Sequence, residues 1–557
     1  MKKNDKITID SLAKAISGKI VGANNFKSPE GFTGIFNILK DSKEGDIVIR
    51  HWIDEVGVEI ASGKHVACVI TEDPRGNSIE IAKSRKFPLI VVNKIEEANA
   101  YALKWTIAKF APNSKRVIIS GTNGKSTTSD MIYHILKSTG ANALTNTDSR
   151  SEFNTLIDPM VPKLISEEFL LNGINKLDYI VIEASEVQGW LGKLMKGHAY
   201  LMTEAVDPDA AVITNIAMDH IGLVNSIEEV FQETSGVAKA IKKGSLILNH
   251  DDELVLDMNN FIDENINGFY FSMENFNKNK YTTVDIRKKD FFNGEEEILD
   301  VNGGKIFNDT DENIVDISEV YSLKYDSSKE SIIYNNNNIL FIDDLPFKSN
   351  HFIQNTLAAI SACLALKINV DDIVRGVKSY QSLNRRFKII SHNPLIIDDF
   401  AHNPEGIKAT ANAVIDLAKD KIDNDCTIRI LCAIRGSRGE EINKINAEAI
   451  VDIINDFSNM KHKETKLEIK IILSSSCDVV DDLNVVEDYE KDIFFDVFTR
   501  DGIDYIHYEN LQDALFETYN LSKDDDVILL IGAQGMDPAE SLLKNIINKK
   551  DIINKNK

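Results

Sequence analysis

The chain of 557 residues has no two cysteines at CxxC spacing: Cys68, Cys363, Cys426, Cys432 and Cys477 are scattered. Neither a disulfide framework nor a thiolate zinc site is therefore expected, and a reducing compartment fits best. The sequence also lacks any uninterrupted apolar run of about 20 residues, the length that crosses a bilayer. Its start, MKKNDKITIDSLAKAISG, is charged and then alternates polar with apolar residues, so no signal-peptide core is expected and the protein is expected to work in the cytoplasm. Positive charge is scarce as well. With 63 Lys and Arg against 87 Asp and Glu, the formal net charge is -24, which disfavours nucleic-acid backbones and anionic membrane surfaces as non-specific partners. What remains, 43% hydrophobic and 27% charged, is an ordinary globular composition long enough for roughly three or four compact units.

The pattern along the chain predicts a multi-domain α/β protein. Residues 1–110 mix short strands (DIVIR, HVACVI, FPLIVV) with helical stretches such as EEANAYALKWTIAKF, a small α/β unit. A second unit, 111–381, begins as a βαβ series: RVIIS, a glycine loop, the helix STTSDMIYHILKSTG, then YIVIEAS, AAVITNI and SLILN. Strands that are apolar throughout and alternate with helices imply a mainly parallel sheet covered on both faces. Between about 251 and 347 the chain turns Asn- and Asp-rich, with β-like runs FYFS, SIIYN and ILFID, which read as hairpins appended to that sheet. After a polar junction at Gln381–Asn384, residues 382–557 give a third unit with another parallel, Rossmann-like sheet (LIIDDF, RILCAI, IKIILSSS, VILLIGA), ending in a Lys- and Asn-rich tail.

The strongest chemical signal is RVIISGTNGKSTTSDMIYHIL, in which a strand enters a glycine turn and leaves as a helix. Helix N-terminal amides and the dipole both favour an anion there. Gly121 and Gly124 let the backbone approach phosphates, with Thr122, Asn123 and Thr127 in the same cradle. Lys125 brings a mobile cation, and the Ser126 hydroxyl suits a Mg²⁺ ion. Ile119 stands where a strict GxxxxGK[ST] motif has its first glycine, so a plain strand-to-helix turn is the alternative. Two further strands, ending in VIEASE and ITNIAMDHIG, would open on the same crevice, because ligands of parallel sheets bind beyond the carboxyl ends of strands. Glu183 and His220 could then share a second magnesium beside a transferring phosphate. Taken singly, Glu183 reads better as an acid at a helix start and His220 as a loop histidine; the phosphate loop beside them favours the metal reading.

In this order the segments resemble the Mur ligase superfamily, whose members make cell-wall peptides and which includes folylpolyglutamate and cyanophycin synthetases. The resemblance covers nearly the whole chain. GTNGKSTT is similar to that family's ATP loop, IEAS to its metal-binding glutamate strand, and ITNIAMDH to its Asn-to-His segment, matched by Asn215 and His220. HFIQNTLAAI resembles the adenine-contacting helix start, with Asn355 matching, and NRRFKII the arginine segment, with Arg386 matching. IIDDFAHNPEGI resembles the DYAHxP segment, which implies that Asp399 meets the ribose and His402 the nucleotide. AIRGSRGEEI is similar to the GDR loop, with Arg438 in the arginine's place. FTGIFNILKDSKEGDIVI resembles the domain that grips the UDP end of the acceptor.

The resemblance implies an ATP- and Mg²⁺-dependent ligase that adds an amino acid to a UDP-linked or peptide carboxylate through an acyl-phosphate. Lys125, Glu183, His220 and Arg438 would be its catalytic residues. The family's carbamylated lysine has no clear counterpart, because the helix EEVFQETSGVAKAI puts Thr234 near that register; Glu233 or Lys239 would have to complete the second metal site. Ser437 replaces the acid of the GDR loop, Phe352 the first asparagine of the adenine motif, and no DNPR sequence marks a diaminopimelate site. TNTDSRSEFNTLIDP, including Arg150, lies where the family places its acceptor, or is a solvent-exposed loop. In EASEVQGWLGKLMKGHA, Trp190 and Leu194 read as core or acceptor residues, and His198 has no evident partner in the sequence.

The Lys, Ile and Asn bias, together with TNTDSRSEFNT and IGLVNSIEEV, resembles archaeal members that build pseudomurein peptides. Two rivals stand beside that reading. One is a cyanophycin- or polyglutamate-type ligase, although the chain has no room for the additional ATP-grasp unit of cyanophycin synthetases. The other is a nucleotide-binding scaffold that has lost turnover.

Overall fold

The computed structural model describes residues 7–23, 32–147, 158–171, 177–190, 193–219, 222–273, 322–421, 426–437, 439–459, 467–482 and 484–555. The expected multi-domain α/β architecture is present as three large sheets, each with its own apolar core. The N-terminal sheet runs, in spatial order, Lys19–Val21, Leu89–Val91, Cys68–Thr71, Ile47–Ile49 and Phe36–Asn37, with only the first pair antiparallel. Ile47, Ile49, Val69 and Ile70 are fully buried, as strands covered on both faces require.

Among the described residues the central sheet has nine strands. Lys115–Ser120 lies between Tyr179–Glu183 on one side and Ala210–Ile213 on the other, all parallel. The chain winds outward first to Ala143–Thr145 and Tyr179–Glu183. It then crosses over to Ala210–Ile213, Ser245–Asn249, Asn267–Ser272 and Ser322–Asp326. Lys115–Ser120 is therefore the strand at which the winding direction reverses, and the crevice at its carboxyl end is where such sheets bind ligands. The glycine loop occupies that end.

One expectation needs correction. The FYFS run does not belong to an appended hairpin: Asn267–Ser272 pairs in parallel with Ser245–Asn249 and with Ser322–Asp326, extending the main sheet. Phe269 and Phe271 are buried on one face and Tyr270 on the other, the two-sided burial of an interior parallel strand. Among the described residues the antiparallel part is the edge, where Ser331–Tyr334 pairs with both Ser322–Asp326 and Asn337–Phe341. Residues 274–321 of that Asn- and Asp-rich stretch lie outside the described residues.

The C-terminal sheet has the order Lys388–His392, Leu395–Asp399, Val527–Ile531, Cys426–Ala433, Leu467–Ser474 and Tyr505–Tyr508, parallel except for the first strand. Helix Ile95–Phe110 joins the N-terminal and central units without a break. Ile95, Ala98, Ala102 and Trp105 pack into the N-terminal core, and Leu103, Ile107 and Phe110 into the central one. Among the described residues no helix is long and apolar enough to cross a membrane.

Candidate functional site

The loop after Lys115–Ser120 is shaped by two glycines in conformations other residues avoid, Gly121 at φ 120° and Gly124 at φ 84°, the latter capping helix Lys125–Ser138. A Cβ on Gly121 would strike Thr214 Oγ1 and the Asn215 carbonyl, and one on Gly124 would strike Asn355 Oδ1. The segment after Ala210–Ile213 holds the loop in shape. Asn215 accepts from the Asn123 amide through Oδ1 at 2.9 Å and donates from Nδ2 to the Asn123 carbonyl at 2.9 Å. Thr214 Oγ1 donates to the same carbonyl at 2.7 Å, and Thr122 N donates to the Asn215 carbonyl at 2.9 Å. Thr122 Oγ1 in turn accepts from Ala217 N at 3.0 Å. Asn215 thus stands against the loop backbone, and Asn355, from helix Asn350–Ala365, places its amide beside Gly124.

Lys125 directs its ammonium to the carbonyls of Gly121 and Thr122 (2.7 and 2.9 Å) and to Glu186 Oε2 at 2.8 Å. Burial by itself would lower its pKa, but Glu186, Glu183 and Asp219 outweigh burial and hold it above the ordinary lysine value. At the next residue, Ser126 Oγ donates to Glu183 Oε1 at 2.9 Å, and Arg386 Nη2 lies 3.2 Å from the same hydroxyl. Glu183 is fixed at its backbone by Asn146, whose side-chain amide both accepts from the Glu183 N–H (2.8 Å) and donates to its carbonyl (3.0 Å). A hydroxyl and a carboxylate in direct contact at the head of a glycine loop are the donor set a hard divalent cation takes with phosphates. Arg386 is half-buried and its pKa is lowered, mainly by desolvation, with Glu183 and Asp399 opposing that fall.

The neighbouring arginines divide their work. Arg385 donates to the Ala533 carbonyl at 2.8 Å and pairs with Asp398 at 3.3 Å and with Asp537, all within the C-terminal unit. Arg386 alone reaches the glycine loop. Both stack on Phe400, with guanidinium carbons 4.9 and 4.6 Å from its ring centre.

Asp399 is occupied by its own chain: it accepts from Phe387 N (2.7 Å), Ala401 N (2.8 Å) and Thr410 Oγ1 (3.1 Å). These bonds fold the linker back onto the strand end. His402 turns Nδ1 to the Phe400 carbonyl at 2.8 Å and Nε2 toward Asp219 at 3.7 Å. Its pKa is lowered, by burial first and then by Arg435.

His220 and Arg438 lie outside the described residues, as do residues 148–157 of the TNTDSRSEFNTLIDP segment, including Arg150. Glu233 is buried and accepts from Gly197 N at 2.7 Å; desolvation pushes its pKa up to about 7. Lys239 sits over the Phe261 ring at 4.4 Å, and burial brings its pKa down to about 8. Thr234 Oγ1 donates to the Val230 carbonyl at 2.7 Å. Among the described residues no three His, Cys, Asp or Glu side chains converge as a metal cluster. His198 does have a partner, the Ser185 carbonyl at 3.1 Å from Nδ1, and is fully buried. Trp190 and Leu194 pack against the central core, and Trp190 also meets His51 of the N-terminal unit edge-on at 5.3 Å between ring centres.

Sequence reasoning missed four residues at the site: Glu186, Asp219, Asn403 and Arg435. Glu186 and Asp219 stand within motifs already recognised, three residues after Glu183 and one before His220. An unexplained acid next to a functional one was the available signal. Asn403 and Arg435 likewise stand within recognised segments, one residue after His402 and three before Arg438, but nothing local says that they meet the central unit, since both are brought in from the third sheet.

Comparison with known proteins places this geometry in context. Residues 119–363 match the family model of the Mur ligase middle domain. The chain is 25% identical, over 427 residues, to the UDP-N-acetylmuramate–L-alanine ligase of Clostridium acetobutylicum, covering 75% of this chain and 72% of that protein. In fold it is similar to the crystal structure of MurF from Acinetobacter baumannii, at TM-score 0.62 and 16% identity, over 98% of this chain and 99% of the other. It is also similar to a pseudomurein peptide ligase type C from Methanothermus fervidus, at TM-score 0.51 and 18% identity, over 89% and 99% of the two chains.

Proposed function

We propose that this chain, an ATP-dependent ligase whose residues 119–363 match the Mur ligase middle domain, adds an amino acid to a UDP-linked or peptide carboxylate in cell-wall peptide synthesis, with pseudomurein as the polymer. The observation that carries the ligase site is the convergence on Ser126 Oγ of Glu183 from the central sheet and Arg386 from beyond the linker, at the head of a loop no Cβ could enter. The archaeal assignment is supported by the segments TNTDSRSEFNT and IGLVNSIEEV and by the absence of a DNPR motif.

In this reading the glycine-loop amides and Lys125 bind the ATP phosphates, with Asn355 beside the loop for the base and Arg386 over the transferring group. Ser126 and Glu183 would hold Mg²⁺, with His220 and either Glu233 or Lys239 proposed for a second ion; bound metal would supply charge neutralisation on the phosphate oxygens. The acceptor carboxylate takes the γ-phosphoryl group of ATP, giving an acyl-phosphate and ADP. The amine of the incoming amino acid then attacks the acyl carbon, and phosphate leaves as the amide forms. The protein's share is positioning, charge stabilisation and exclusion of water. Asp399 acts through the linker it folds, and His402, with Arg438 from the same unit, closes the nucleotide side.

The test is ADP release from the full-length protein, screened with UDP-sugar peptides against single amino acids. Release should require both an acceptor and an amino acid, and Lys125→Ala or Glu183→Ala should abolish it with the thermal melt unchanged. Normal turnover in either variant would overturn the site. Nucleotide binding without acceptor-dependent ADP release would favour the scaffold reading.

A further inference from the structure

Asp219 belongs to the central unit, on the segment that also clamps the glycine loop, yet the groups gathered on its buried carboxylate come from the third sheet. Asn403 Nδ2 donates to Asp219 Oδ2 at 3.2 Å, His402 Nε2 lies 3.7 Å from that oxygen, and Arg435 Nη1 lies 3.9 Å from Oδ1. The same Asn403 Nδ2 donates to Asn123 Oδ1, in the glycine loop, at 3.0 Å. Asn403 is 1% exposed and Asp219 5%. The amide cannot be turned over at no cost, because Asn403 Oδ1 accepts from Gly406 N at 2.8 Å. Both Nδ2 hydrogens are thus committed across the domain seam, one to a charged acceptor and one to the loop. Asn123 is gripped from below by Asn215 through its own N–H and carbonyl.

We propose that Asn403 and Asp219 are a positioning pair that couples docking of the C-terminal unit to the geometry of the glycine loop, through Asn123. Undocking would exchange the Asn403 amide on the Asp219 carboxylate for water and release the Asn123 side chain in one event, so loop order and docking rise and fall together. The consequence for catalysis rests on the ligase function proposed above; the coupling itself does not.

The test uses the full chain with three variants and two readouts that need no turnover: small-angle X-ray scattering, and the dissociation rate of a fluorescent ADP analogue. Asn403→Asp sets two carboxylates face to face. It should enlarge the radius of gyration and speed analogue release by about tenfold, the scale of one charge-assisted hydrogen bond. Asn403→Ala should move both readouts the same way by less, and its melt guards against a simple folding failure. The swap Asp219→Asn with Asn403→Asp rebuilds the donor-acceptor pair with reversed polarity, while Asn123 can turn its amide to donate; it should restore both readouts. If Asn403→Asp and Asn403→Ala leave scattering and release rate unchanged, or the swap restores neither, the coupling is refuted. If both readouts respond and recover but the unmodified protein shows no acceptor-dependent ADP release, the coupling stands and the ligase reading falls.

Discussion

The two seams of this protein are built in opposite ways. Between the N-terminal and central units the join is an apolar weld: one helix, Ile95–Phe110, gives Trp105 to one core and Leu103, Ile107 and Phe110 to the other, and Phe110 packs on Phe169 at 5.3 Å. Between the central and C-terminal units the join is one aromatic pivot and a set of directional polar contacts. Phe347 meets Phe352 and Phe387 at 5.2 and 5.3 Å beside the linker, while Ser126, Asn123 and Asp219 face Arg386, Asn403, His402 and Arg435 across the site. Apolar burial is insensitive to direction and hard to undo, whereas hydrogen bonds exchange with water at small net cost. The weld therefore suits a fixed platform, and the polar seam suits a surface that parts and re-forms around a substrate.

Activity should feel the polar seam most. Arg386→Ala is expected to lower kcat by about 10²–10³-fold, the scale for removing one preorganised charge-stabilising donor, with little change in the melting temperature. A loss of stability as large as the loss of rate would show that this seam too is structural. The weld should behave conversely: Leu103→Ala, at a fully buried position where the shared helix enters the central core, should cost about 2–5 kcal/mol in denaturant unfolding while the folded fraction keeps its turnover.

The third comparison is of pH. The pKa of His402 is lowered by burial and by Arg435, so the unfolded chain binds the proton more readily. Stability linked to His402 is therefore present above the ordinary histidine pKa and falls as the pH drops through the folded value. Thermal melts across the acidic range should show His402→Gln flattening that fall, and an unchanged profile would remove His402 from the account. The smallest effect is expected at Lys163, which pairs at 3.0 Å with the exposed Asp41 across the weld; Lys163→Ala should leave the denaturation midpoint essentially unmoved. A clear shift would mean that the weld depends on ions as well as on its core.

The legible part of the site is the part that is contiguous in the chain. GTNGKSTT stands out because a phosphate cradle needs glycines, a lysine and a hydroxyl on one short turn entering a helix. Glu183 and Asn215 could be placed beside it because successive parallel strands end on the same edge. The choice of Arg386 over Arg385 rested on resemblance; the two point oppositely because positive φ values at Arg385 and Phe387 (59° and 52°) turn the chain sharply there. FYFS could not be assigned as parallel or hairpin from its pattern, since an apolar run of that length satisfies either.

Which partners Asn403, Asp219 and Arg435 take was beyond the reach of local pattern. Asn403 and Asn123 are 280 residues apart in sequence and Asn403 and Asp219 184. By itself, then, the sequence determined the α/β class, the glycine loop, the strand-end acid and the absence of paired cysteines, because each follows from periodicity or from neighbours within a turn. The tertiary structure alone decided which side chains cross the seams, that Lys125 lies against Glu186, and that Asn403 joins the third unit to the loop. Those contacts depend on how separately folded sheets meet, and no local propensity encodes that meeting.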